Sequence, residues 1–284
     1  MDSPSKSSGT LYLVATPIGN LEDMTFRAVS VLQQVDWIAA EDTRHTGKLL
    51  RHFNIDTPQL SYHHHNRQTR LPQLLENLHH GQTLALVSDA GTPGISDPGQ
   101  ELVAACVATG ITVIPLPGAT AFVSAAICSG LDLKALTFIG FLPPKHKDRN
   151  AQLDLLKSLS HTLVFYEAPH RLRTTLADLA THFGDRPVCL ARELTKLHEQ
   201  FWYGTLQTAI DYFQHQEPKG EFCLVVAGQE SRQTITFSDE QLLEELQQLM
   251  QQGLSRSQAS KQLATALSLP RRQIYQLSLQ LSDP

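Results

Sequence analysis

A chain of 284 residues with 41% apolar and 18% charged residues carries enough apolar surface for more than one buried core, and too little charge for a disordered polymer. Its formal net charge of −5 argues against a strongly basic, non-specific nucleic-acid binder, so any contact with RNA has to come from local patches or from the shape of a large folded target. The four cysteines, Cys106, Cys128, Cys189 and Cys223, form no CxxC pair, which argues against a zinc site and a disulfide framework and fits a reducing cytoplasm. No apolar run reaches the roughly 18 residues of a membrane span.

Residues 1–9 are polar and serine-rich and read as a disordered tail. Leu11–Ala15 is a short apolar strand, and Thr25–Gln34 a helix with Thr25 as its N-cap. Trp37–Ala40 is a second strand, followed by the polar run Glu41 to Thr46 and a short helix Gly47–Phe53. Thr83–Val87 reads as a buried strand and Gln100–Thr109 as a helix stopped by Gly110. Ile111–Ile114 is the next strand and Ala119–Ser129 the next helix. Strands that are apolar throughout and alternate with helices imply a parallel sheet covered on both faces.

The proline- and charge-rich stretch Phe141 to Arg149 reads as a linker or mobile loop. After it come a helix to Ser160, the strand Thr162–Tyr166, a helix from His170, and the strands Val188–Ala191, Gln200–Tyr203 and Glu221–Ala227. Beyond Ser238, two capping-box patterns, Ser238-x-x-Gln241 and Ser255-x-x-Gln258, with Gly253 and Pro270 as punctuation, predict three short helices. The domain boundaries expected are a tail at 1–9, an N-terminal α/β lobe at 10–130, a C-terminal α/β lobe at 131–230, and a locally basic helical tail at 231–284.

Turns at the C-terminal ends of parallel strands are where such sheets bind ligands. Thr16-Pro17-Ile18-Gly19-Asn20 is neither a dinucleotide fingerprint nor a Walker loop. Ser88-Asp89-Ala90-Gly91-Thr92-Pro93-Gly94, continued by Asp97-Pro98-Gly99, sets a carboxylate beside glycines that allow close backbone approach. Pro115-Leu116-Pro117-Gly118-Ala119-Thr120 offers a rigid turn and small residues. Tyr166-Glu167-Ala168-Pro169-His170-Arg171 brings an acid, an imidazole and a guanidinium within six residues. His63-His64-His65 is no metal site on this reading, because neighbours on an extended chain point to opposite faces; with Asn66, Arg67 and Arg70 it reads as a solvated or RNA-facing loop.

Taken together with Ala40-Glu41-Asp42-Thr43-Arg44, Ala191-Arg192-Glu193-Leu194-Thr195-Lys196 and Lys219-Gly220-Glu221, the order and spacing of these turns resemble the tetrapyrrole methylase superfamily and, within it, the ribosomal RNA small subunit methyltransferase I family. The resemblance covers Leu11 to Gly228. It implies a two-lobed α/β fold with a parallel-sheet N-terminal lobe, a mixed-sheet C-terminal lobe and a small helical tail. It also implies S-adenosylmethionine in the cleft, 2′-O-methylation of a cytidine in the decoding region of small-subunit ribosomal RNA, an assembled small subunit as partner, and a homodimer. Motif matching assigns Ile18, Asp89, Gly91, Thr92, Thr120, Ala121, Tyr166 and Ala227 to the cofactor.

The donor is already activated, so no metal is required; a ribose hydroxyl, by contrast, needs its proton removed or strongly hydrogen-bonded. Glu167, Glu41, Asp42, Glu193 and Glu221 are candidate acids for that step. Glu167 at the end of its strand is favoured, with Arg171 clamping the RNA. Arg44 and Arg192 are further candidate phosphate contacts, as are Arg256, Lys261, Arg271 and Arg272 in the tail, where no acid follows Gly253 before Asp283. A tetrapyrrole methylase would predict an apolar acceptor cleft and no basic tail; a non-catalytic RNA-binding module would predict loss of the Asp89 turn.

Overall fold

The computed structural model describes residues 8–230, 238–267 and 269–281. Residues 1–7 of the expected tail lie outside that range. Gly9, placed in the same tail from sequence, is instead buried. Its N–H donates to the Leu78 carbonyl at 2.7 Å, so ordered structure begins earlier than the polar composition suggested.

The first sheet is parallel throughout: β1 (Thr10–Val14), β2 (Trp37–Ala40), β3 (Gln59–Ser61), β4 (Leu84–Val87) and β5 (Thr112–Leu116), in the order β3-β2-β4-β1-β5. Strand alternation sends successive side chains to two cores. Ile38, Ala40, Ala85 and Val87 join Leu32 of α1 (Phe26–Gln34) and Leu50 of α2 (Thr43–His52). Ala39, Leu84 and Leu86 join Leu74 and Leu78 of α3 (Arg67–His79) and Leu102 of α4 (Gln100–Ala108). Because α1 carries the chain from β1 to one side and α4 carries it from β4 to the other, the turns after β1 and β4 part at the switch point of the sheet.

The second sheet is mixed, with the order β6-β7-β10-β8-β9. It comprises β6 (Leu136–Phe141), β7 (Thr162–Glu167), β8 (Pro187–Arg192), β9 (Gln200–Thr205) and β10 (Phe222–Val226). Only β6 and β7 are parallel; the remaining pairs are antiparallel. One face packs on α6 (His146–Leu156), α7 (Pro169–Phe183) and α8 (Leu206–His215) through Leu153, Leu172, Leu176, Ala209 and Phe213. The other face receives α5 (Ala121–Ile127) through Ala125 and Ala126, against Val164, Cys189 and Val225.

Several expectations need correction. The run after β2 is not a loop. Asp42 caps α2, its side chain accepting from the Arg44 N–H at 2.8 Å, so the helix starts four residues before Gly47. The Phe141–Arg149 stretch is not a linker; it joins β6 to α6. Arg149 there is buried, paired with Asp178 at 2.6 Å and donating to the carbonyls of Pro143 and Pro144. β3, α3, β6 and α8 were not anticipated.

By compactness the chain divides into a unit through Gln229 and a second unit from Glu230. The second unit contains α9 (Asp239–Gln251), α10 (Arg256–Leu267) and α11 (Arg271–Ser278), closed over Leu242, Leu246, Met250, Leu263, Ile274 and Leu277. Both anticipated capping boxes are formed, the Ser238 N–H donating to Gln241 and the Ser255 N–H to Gln258 at 3.0 Å each.

Candidate active site

Three turns of the first lobe lock together at the switch point. Thr16 and Gly91 exchange backbone hydrogen bonds at 2.9 and 3.0 Å, and the Thr16 hydroxyl donates to the Ser88 carbonyl. Gly91 has φ +81°, a conformation glycine adopts without penalty, and a β-carbon there would stand 3.3 Å from the Ile18 side chain. A β-carbon on Gly118 would stand 2.7 Å from that of Ala15, so the third turn lies directly on the end of β1. Thr92 ties the second turn to the third, its hydroxyl 2.7 Å from that of Thr120 and donating to the Ala119 carbonyl.

The second lobe closes over these turns. The Tyr166 hydroxyl accepts the Phe122 N–H of α5 at 3.1 Å, and its ring packs against Phe138 and Phe141. Gly19 approaches the Leu194–Lys196 turn so closely that a β-carbon would lie 2.4 Å from Lys196 Cγ. A cleft of about 410 Å³ is left between the lobes. Its walls are mostly apolar, with Ile18, Ile95, Ala121, Phe141, Tyr166, Ala191 and Leu194, and it carries a few polar groups: Thr92, Ser96, Asp97, Thr120, Glu167, Lys196 and Glu221. That is the usual make-up of a small-molecule site.

Of the residues assigned to the cofactor from sequence, Ile18, Gly91, Thr92, Thr120, Ala121 and Tyr166 border this cleft. Two are placed elsewhere. Asp89 accepts the Asp42 N–H at 3.0 Å, and its own N–H donates to Glu41 at 3.4 Å, tying the β4 turn to the β2 turn. Ala227 sits at the far end of β10. That strand runs antiparallel to β7, so Phe222 and Cys223 reach the cleft, while the Ala227 N–H is engaged by the Pro187 carbonyl.

The candidate acids separate in the same way. Glu167 continues β7 and points with Leu163 and Phe165 rather than with Tyr166. Its side chain has 0% exposure, accepts from the Ala168 N–H at 2.9 Å and from the Thr175 hydroxyl at 2.5 Å, and lies 3.4 Å from Arg171. Arg171 also donates to the Leu142 carbonyl at 2.7 Å, so its guanidinium holds the lobe together. Hydrogen bonds from Arg44 hold the Asp42 carboxyl well below the usual range, and that pair stands in solvent, the Arg44 side chain 88% exposed. Burial would raise Glu193, but the Glu221 N–H and Lys196 outweigh it and leave the carboxyl below its ordinary value. Lys196 bridges Glu193 at 3.0 Å and Glu221 at 2.9 Å. Arg192 donates to the Lys219 carbonyl.

Glu41, half-buried beside Asp89, is pushed upward first by desolvation. Asp97 is pushed up to about 6, by burial first and then by Glu41, while a hydrogen bond from Ser88 opposes the shift. Sequence reasoning quoted Asp97-Pro98-Gly99 as an appendage of the second turn and did not single out this carboxylate. Lys196, Phe141 and Cys223 were also missed as cleft residues. In the second unit, Arg256 donates to the carbonyls of Ser278 and Leu281, capping α11, and Arg271 donates to Ser257. Among the described residues no group of three or more His, Cys, Asp or Glu has the arrangement of a metal site, and no helix is long and apolar enough to cross a membrane.

The parallel lobe, its switch-point turns and the mixed sheet across the cleft belong to a recognised class: residues 10–210 match the Tetrapyrrole (Corrin/Porphyrin) Methylases, and the chain belongs to that family. Solved members share the fold. The methyltransferase CobJ superposes with a TM-score of 0.60 at 18% identity, over 80% of this chain and 97% of that one. Uroporphyrin-III C-methyltransferase from Thermus thermophilus, complexed with S-adenosyl homocysteine, gives 0.55 at 17% identity over 78% and 98%. Much greater likeness is found to proteins named Ribosomal RNA small subunit methyltransferase I. That of Synechocystis sp. (strain ATCC 27184 / PCC 6803 / Kazusa) is 62% identical over 96% of this chain and 98% of its own. That of Halalkalibacterium halodurans is 48% identical over 95% and 94%. Within the methylases, this is the branch in which the chain falls.

Proposed function

We propose that the chain transfers a methyl group from S-adenosylmethionine to the 2′-oxygen of a cytidine ribose in the decoding region of small-subunit ribosomal RNA. In this proposal it acts in the cytoplasm, as a homodimer, on the assembled subunit. The observation that carries the reading is the 62% identity to a ribosomal RNA small subunit methyltransferase I over 96% of the chain, which includes every cleft turn.

The cleft residues fit the cofactor. The flat face of its adenine suits the apolar wall formed by Ile18, Ile95, Ala121 and Tyr166. Its ribose and amino-acid ends need the hydroxyls and backbone groups that Thr92, Thr120 and the Gly91 turn present. Close contact with the Gly91 turn is possible because that residue has no β-carbon. When bound, S-adenosylmethionine supplies a methyl group activated by a sulfonium.

The chain has three remaining tasks: to hold the acceptor oxygen in line with that methyl, to exclude water, and to take up the hydroxyl proton. Phe141 and Tyr166 form an aromatic edge at the mouth that shields the cleft. Arg44 is almost fully exposed beside the β2 turn and is suited to a phosphate. Arg171 and Arg192 are engaged with main-chain carbonyls, so their part in RNA binding is indirect. The tail cations Lys261, Arg271 and Arg272 are proposed as additional phosphate contacts.

The test is incubation with methyl-labelled S-adenosylmethionine and, in parallel, undermethylated small subunits and uroporphyrinogen. Nuclease-sensitive label in the subunit fraction is the expected result. Label in the porphyrinoid alone would replace this reading with a tetrapyrrole methylase.

A further inference from the structure

We infer that Asp97 is the catalytic base of this cleft, accepting the ribose hydroxyl proton during methyl transfer; the inference rests on the RNA-methylation reading above.

Asp97 is the first-lobe carboxylate that borders the cleft. Glu41, Asp89 and Asp42 are absent from its walls, Asp89 accepting the Asp42 N–H and the Asp42 carboxylate accepting from Arg44. Glu167 borders the cleft, but its side chain has 0% exposure and its carboxylate is held by the Thr175 hydroxyl, the Ala168 N–H and Arg171. The loop that presents Asp97 is held in an unfavourable shape. Ser96 has φ +64°, a region L-residues rarely adopt, and Gly94 and Gly99 on either side are at +83° and +146°. A β-carbon at Gly99 would stand 2.9 Å from Leu86, so the loop is pressed onto the end of β4. Such a loop fixes where the carboxylate stands, opposite Tyr166 and Phe141 on the other wall.

The chemistry matches. The 2′-O–H bond breaks as Asp97 takes the proton, and the oxygen forms its bond to the methyl carbon. The carbon–sulfur bond breaks with its electron pair left on sulfur, and Asp97 then releases the proton to water. A base near neutrality is the most effective for this at cellular pH. The charged and titratable groups around Asp97 are Glu41 and Asp89 from its own lobe. Tyr166, Glu167, Lys196, Glu221 and Cys223 line the opposite wall. Burial and the two neighbouring carboxylates raise Asp97 into the required range, and Ser88 tempers them.

Single-turnover methylation of undermethylated small subunits at saturating S-adenosylmethionine, from pH 5 to 8, tests this. For the parent, the rate should rise about tenfold per pH unit and level off near pH 6. Asp97→Asn should be slower by roughly 10²–10⁴-fold and lose that break, with cofactor affinity by calorimetry within about threefold of the parent. Ser88→Ala removes a hydrogen bond that favours the ionised form and should move the break upward. Glu41→Gln removes a like charge and should move it downward. An unchanged break in Asp97→Asn would overturn the inference, as would loss of the break in Glu41→Gln instead. Normal turnover with weakened cofactor affinity in Asp97→Asn would make Asp97 a cofactor-binding residue and likewise overturn it. Failure of the parent to methylate the ribose at all would strike the underlying reading, a different result from any of these.

Discussion

Replacing Glu167 by alanine separates a structural carboxylate from a catalytic one. Glu167 ties the end of β7 to the first two turns of α7 through the Ala168 N–H, the Thr175 hydroxyl and Arg171. Thr175 is 1% exposed, so its hydroxyl would be left without this acceptor in a dry environment. Each buried polar group orphaned in this way costs about 1–3 kcal/mol. Removing one member of a buried ion pair typically costs about 3–5 kcal/mol in total, and the two figures overlap rather than add. For a unit of this size each kcal/mol moves the melting temperature by roughly 2–4 °C, so Glu167→Ala should melt about 6–20 °C lower. Glu167→Gln keeps an acceptor for Thr175 and should lose less. Circular dichroism melts of the full chain, with cofactor affinity measured at 20 °C, provide the assay. A melting temperature within about 2 °C of the parent, accompanied by a turnover loss of about 100-fold or more, would refute the structural assignment and return Glu167 to the chemistry.

Asp97 also predicts a stability profile. Its folded pKa of about 6 lies above the ordinary value of 3.8, so between those values the folded chain keeps a proton that the unfolded chain has lost, and stability falls as pH rises through the window. After discounting for its partial exposure, about 1–2 kcal/mol is at stake. Asp97→Asn should therefore melt higher than the parent at pH 8 and close to it at pH 4; equal gaps at both would refute the profile. Arg256→Ala removes the donors to Ser278 and Leu281 and should make residues 238–281 melt earlier and open to protease, whereas Lys261→Gln with Arg272→Gln should leave them folded and flatten the salt dependence of RNA binding. Unchanged salt slopes in the double variant would remove the tail from the RNA contact. Cofactor affinity should be unaffected by exhaustive chelation, since no ligand cluster exists among the described residues; a loss restored by zinc or magnesium would contradict this.

What the sequence revealed follows from how local each signal is. β2 is a continuous apolar run and was read to the residue. The Thr25 cap and the Ser238 box depend on hydrogen bonds that span three positions, so they too were legible. α3 escaped notice because Pro72 lies inside it and its first turn is polar; tertiary packing of Leu74 and Leu78 decides the matter. β3 has three half-buried residues and no pattern to read. At the site, the turns at the ends of the parallel strands were found because direction and function coincide there. Ala227 stands away from the cleft because β10 runs antiparallel to β7, and that direction is a property of the sheet and not of the strand. Asp97 was passed over because its perturbation comes first from burial and then from Glu41, which approaches from the end of β2, and neither is visible in the local sequence.

The central claim is methylation of a ribose oxygen in small-subunit RNA. Its most direct test is to label undermethylated small subunits with the purified chain and S-adenosylmethionine, digest the RNA with alkali, and locate the label by nucleotide. The account predicts one alkali-resistant dinucleotide whose 5′ member is a 2′-O-methylcytidine from the decoding region. Label on a base, at many scattered positions, or in no RNA species would contradict it.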